Sequence, residues 1–168
     1  MLATEEVRAM PRITVDIDST ASSTIRKSGD GVSGCLGRGG WPVGHGCVPD
    51  TLDTDGHPLD ALVLMREPAL AGAGVRAWPL GVLHRVGTES APAAPVLLCV
   101  AEDPSFIDLV DTDDLPRWHA GGDAWAAVLA RLRHQPVGNA NDCGTRAEAE
   151  HLISDARHAY ERLTGCLD

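Results

Sequence analysis

Positive charge is scarce in this sequence. Fourteen Lys and Arg stand against twenty-four Asp and Glu, a formal net charge of −10. Such a chain repels phosphate backbones at long range, so nucleic acid is not an expected partner. A small phosphorylated or anionic substrate stays possible if local basic groups or a divalent cation reverse the sign of the site. Long apolar runs are missing as well. The longest, around Ala94 to Ala101, has the length of a buried strand and falls short of a membrane span. The N-terminus carries no charged-then-apolar pattern before a small-residue cleavage site, so a cytoplasmic protein without membrane attachment is expected. The cysteines are Cys35, Cys47, Cys99, Cys143 and Cys166; their odd number and the want of a CxxC pair argue against a zinc ribbon and a disulfide framework. No G-x-S-x-G elbow occurs, and the glycine-rich stretch 29–46 has no Lys-Ser/Thr ending of a phosphate-binding loop.

What is present fits one globular domain over residues 1–168, with 43% hydrophobic residues. Arg12 to Asp18 alternates, with Ile13, Val15 and Ile17 on one face, which predicts a half-buried strand. Residues 19–50 predict turns and short strands. Leu59 to Met65, Val75 to Val86 and Pro95 to Ala101 read as further strands, with Pro79 marking an edge or a bulge and 87–94 a hairpin loop. The period then changes. Asp123 to His134 carries Trp125, Val128, Leu129 and Leu132 at helical spacing. Thr145 to Leu163 opens on a capping box, Thr145 with Glu148, and Gly165 stands at its C-terminal cap. Strands first and helices last predict an α+β fold.

The stretch Thr51 to Leu64 concentrates acid: Asp53, Asp55 and Asp60 with His57 just before a buried strand. Such oxygens could converge on a hard divalent cation, and His57 would shift the preference toward Mn, Fe or Zn. Equally, the segment could be a polar turn in which Asp55 and Asp60 cap backbone N–H groups. Cys47, two residues after His45, is expected on the opposite face of any local strand, which argues against a His-Cys metal pair. Trp78, Trp118 and Trp125 are expected in the core or at a subunit contact, and His151 and His158 at the surface.

The segment Asp55-Gly56-His57-Pro58-Leu59-Asp60 resembles the D-G-D-P-x-D signature of the soluble family I inorganic pyrophosphatases. Trp41-Pro42, Gly46, Arg76 to Leu83 and Asp111 to Pro116 fall in the same order as that family's other motifs, so the likeness runs over roughly residues 12–164. The resemblance implies a small five-stranded OB-type β-barrel with C-terminal helices packed beside it, and usually a homo-oligomer. It implies hydrolysis of pyrophosphate to phosphate with divalent metal, Mg²⁺ foremost, where cations activate water and neutralise the leaving group.

Carried over by position, Asp55 and Asp60 match two signature carboxylates, and His57 replaces the third. Asp16 stands near the family's strand Glu, Arg26 near its phosphate-binding Lys, and Arg133 near a late Lys. Trp41 replaces a Tyr, and His45 another Tyr that contacts phosphate or orients a ligand. In the loop before the last barrel strand, Gly87, Ala94 and Val96 stand where the family has two Asp and a Lys. The resemblance therefore implies metal ligands among Asp16, Asp55, His57 and Asp60, substrate contacts from Arg26, Trp41, His45 and Arg133, and catalysis by Asp60, Arg26 and Arg133. Because of His45 and His57, Mn, Fe or Zn remain open beside Mg²⁺. Two alternatives stand beside hydrolysis of pyrophosphate: a repurposed biosynthetic enzyme with a His/Asp metal site, and a catalytically inactive binding member.

Overall fold

The computed structural model describes residues 12–23, 25, 40–84, 95–118, 122–133 and 143–165. Strands come first: β1 (Ile13–Ala21), β2 (Val43–Val48), β3 (Leu59–Leu64), β4 (Gly74–Leu83) and β5 (Val96–Ala101). Two 3-10 turns, Pro104–Phe106 and Thr112–Trp118, lead to helix α1 (Gly122–Arg133), a two-residue strand β6 (Cys143–Gly144) and helix α2 (Arg146–Thr164). The sheet order is β1-β2-β3-β5-β4-β6, and a further pairing of β1 with β4 closes the first five strands into a ring. All the pairings are antiparallel except β3 with β5. The α+β expectation and the five-stranded OB-type ring with C-terminal helices both hold.

The ring has two apolar faces, because successive strand residues point to opposite sides. One cluster draws on all five strands, with Ile13, Val15 and Ile17 of β1, Val48 of β2, Ala61 and Val63 of β3, Val82 of β4 and Cys99 of β5. A cluster to which every strand contributes is the ring's interior. Helix α2 adds Ala149, Ile153 and Ala156 to it. The second cluster lies outside. There Leu62, Leu64, Leu98 and Val100 are roofed by Phe106, Trp118 and the apolar stripe of α1, Trp125, Val128 and Leu129. Trp118 and Trp125 are fully buried, and Trp78 is half-buried.

Local chemistry accounts for the element ends. Pro79 coincides with a register shift between Pro79 and Gly81 in the β4–β5 ladder, a bulge that accommodates a residue without an N–H. The Thr145 side chain accepts from the Glu148 amide at the start of α2, and Gly165 ends that helix at φ 75°. Among the described residues, no helix is long and apolar enough to cross a membrane.

Candidate active site

The roof over the outer cluster stops short along β3. Asp60, Leu62 and Leu64 share the outward face of that strand; the two leucines are buried, whereas the Asp60 side chain is 33% exposed. Beside it run the outward faces of β2, with His45 and Cys47, and β1, with Asp16 and Asp18. The register sets Asp16 opposite Cys47 and Cys47 opposite Asp60. His45 and Cys47 therefore lie on the same face. The expectation that they face apart is overturned, because residues two apart in a strand point the same way.

His45 links three strands. Its Nδ1 lies 3.0 Å from Asp18 Oδ1 and its Nε2 3.5 Å from Asp60 Oδ1. The ring is largely enclosed, with 12% of the side chain exposed. Asp18 sits at a register shift between Ile17 and Ser19, and its Oδ1 also accepts from the Ser19 hydroxyl at 2.8 Å. Hydrogen bonding to Asp60 raises the imidazole pKa above its ordinary value of 6.5; burial of the ring opposes this, and Asp18 adds to the rise through bond and charge. Burial also pushes the Cys47 thiol up, helped by the charges of Asp16, Asp18 and Asp60, so this face is electronegative and the thiol stays protonated.

Ahead of β3 the chain makes a tight polar turn. Asp53 Oδ1 accepts from the amides of Asp55 (2.8 Å) and His57 (3.0 Å), and the Asp53 amide returns a bond to the His57 carbonyl. The buried Thr51 hydroxyl donates to the Val48 carbonyl and accepts from the Leu59 amide, fastening the end of β2 to the start of β3. The capping carboxylate is thus Asp53, where the sequence reading assigned that task to Asp55 and Asp60. Asp55 and His57 are exposed on the turn.

Of the residues expected at the site, the structure brings His45 and Asp60 together and leaves Asp55 and His57 exposed on the turn. Asp16 is exposed on the same outer wall. Trp41 is half-buried and meets Phe106 edge-on, ring centroids 5.6 Å apart. Arg26, Gly87 and Ala94 lie outside the described residues, as does the side chain of Arg133, the last residue of α1. Val96 is fully buried at the start of β5 and belongs to the outer cluster. Asp18 was missed as a site residue. Its signal was present, since an acid at 18 follows an acid at 16 on the polar side of an alternating strand.

Among the described residues, no three His, Cys, Asp or Glu side chains form a group able to hold a metal ion. The donor set is one of hard carboxylate oxygens, and the two ring nitrogens of His45 are turned toward carboxylates. That chemistry does not fit an all-protein cage. It does fit the way Mg²⁺ is commonly held, by one or two carboxylates with phosphate oxygens and waters completing the shell.

A family model described as inorganic pyrophosphatase matches residues 31–161. An inorganic pyrophosphatase of Pseudomonas aeruginosa is 38% identical over 97 residues, 56% of this chain and 49% of the relative. One from Leifsonia xyli is 33% identical over 78 residues, 46% of this chain and 47% of the relative. The chain spans about half the length of the curated relatives it matches. Among solved structures, the inorganic pyrophosphatase of Helicobacter pylori superposes with a TM-score of 0.61 at 25% identity, covering 89% of this chain and 94% of that one. A vacuolar soluble pyrophosphatase of Trypanosoma cruzi in complex with PPi reaches 0.65 at 14% identity, over 93% of this chain and 71% of that one, and shares the fold. With the D-G-x-P-x-D register intact at Asp55 and Asp60 and most of its length matched, this chain belongs to the inorganic pyrophosphatase family.

Proposed function

We propose that this chain hydrolyses the phosphoanhydride bond of a small diphosphate, with inorganic pyrophosphate the first substrate to test. Water adds to one phosphorus, the bridging P–O bond breaks, and two phosphates leave with release of a proton. The observation that carries this reading is Asp60, uncovered at the end of the roofed face of β3 and flanked by His45, in the register of the family signature.

The family depends on divalent metal in general, and physical chemistry favours a cation here too. A chain of net charge −10 repels a bare diphosphate. Mg²⁺ arriving with the substrate removes that repulsion, and Asp60 would hold it, with phosphate oxygens and waters completing the shell. Once bound, the cation would offset the charge that develops on the leaving phosphate and acidify water. His45 has both ring nitrogens toward carboxylates, which takes an imidazole out of the donor set and favours Mg²⁺ over Mn, Fe or Zn. Arg26 and Arg133 are the basic residues proposed to meet the phosphate oxygens, and homo-oligomerisation belongs to the same proposal.

Phosphate release from pyrophosphate, with Mg²⁺ and separately with Mn²⁺ between pH 6 and 9, tests the reading. Release that is abolished in Asp60→Asn supports it. No release with either metal overturns it in favour of an inactive binding role.

A further inference from the structure

Asp60 is held by more than its own strand. His45 reaches it from β2, and His45 is itself held from β1 by Asp18. Asp18 is the better placed of the two carboxylates, at 3.0 Å against 3.5 Å, and the Ser19 hydroxyl steadies it at 2.8 Å. We propose that Asp18 is a positioning residue for Asp60, acting through His45, so that the strands β1, β2 and β3 are coupled across the outer wall by an Asp18–His45–Asp60 chain. The inference rests on the diphosphate-hydrolase reading for its kinetic part only.

The geometry carries the proposal. An Asp18 oxygen next to Nδ1 fixes which side of the imidazole faces β1, and with it the rotation of the ring. Nε2 is thereby aimed at Asp60. Asp18 is itself 62% exposed, so its packing contributes little to the fold. It sits where the β1–β2 ladder changes register, which lets an outward carboxylate lean over the neighbouring strand. In Asp18→Ala the ring is free to turn, and Asp60 loses its fixed neighbour.

Two readouts separate this from a structural role. The ring-nitrogen NMR signals of His45 and the carboxyl-carbon signal of Asp60 are followed in wild type, Asp18→Ala and Asp18→Asn. Both residues should move in Asp18→Ala while the thermal midpoint stays in place, and Asp18→Asn, which keeps an acceptor, should restore most of the wild-type pattern. On pyrophosphate, kcat should fall roughly ten- to hundredfold in Asp18→Ala, since misplacing the carboxylate that holds the cation disturbs the geometry of the reacting groups. An Asp60 signal unchanged in Asp18→Ala overturns the proposal, and so does an unchanged kcat in a protein whose wild type turns over. A wild type with no turnover sinks the hydrolase reading alone; the two NMR signals then decide the coupling of Asp18 to Asp60.

Discussion

Gly46 lies so close to the carbonyl of Asp16 that no β-carbon fits between them. The contact brings β1 against β2 at the point where Asp16, Asp18 and His45 share one wall. Gly46→Ala should therefore force the two strands apart, costing roughly 2 kcal/mol or more, in the range of severe backbone clashes. Urea unfolding measures the loss, and His45 signals should broaden in whatever folded protein remains.

The His45 imidazole has a pKa raised in the folded chain above the 6.5 of the free group. A proton bound more tightly when folded stabilises the fold below the unfolded pKa, and that stabilisation is lost as pH rises through the folded value. Stability measured across pH 6 to 9 should fall with rising pH over that window. In His45→Gln the fall should flatten. A steeper fall in the variant would contradict the assignment.

Asp53 carries two backbone amides on one oxygen, those of Asp55 and His57. Asp53→Ala should destabilise the protein by about 1–2 kcal/mol, the usual effect of lost hydrogen bonds to a carboxylate. Activity on pyrophosphate should fall in parallel, because the same turn carries Asp55. Asp53→Asn retains an acceptor oxygen and should recover part of both losses.

Cys99 is wholly buried and its thiol is pushed up to about 12 by that burial. It should resist alkylation at pH 8 in the native state and react on unfolding. Peptide mapping after iodoacetamide treatment reads this directly. Fast native labelling at Cys99 would mean that the interior of the ring opens often.

Much of this architecture was legible in the chain itself. The alternation of Ile13, Val15 and Ile17 announced β1, and Thr145, Glu148 and Gly165 marked both ends of α2. β2 could not be delimited in that way. Its outward residues include a histidine and a cysteine, its inward ones include Gly44 and Gly46, and no alternation of apolar and polar survives. The glycines are explained by neighbours distant in sequence, such as Ile17 and Met65 against Gly44.

The site was half legible for a related reason. Asp55, His57 and Asp60 stood out because they are close in sequence. Closeness in sequence did not bring them together, since Asp53 folds the turn so that Asp55 and His57 face solvent. Besides Asp60, the partner that reaches His45 is Asp18, twenty-seven residues earlier. Strand pairing at the β1–β2 register shift is what brings the two together.

The first strand is zipped to two others along different stretches: Ile13 to Asp16 with β4, and Asp16 to Ala21 with β2. Trimming the chain into Ile13 would unfasten one seam of the ring and leave the other holding, turning a closed cylinder into a curled sheet with two raw edges. Raw edges invite pairing between molecules. Truncated forms of this protein should therefore betray themselves by clumping before they lose their helices.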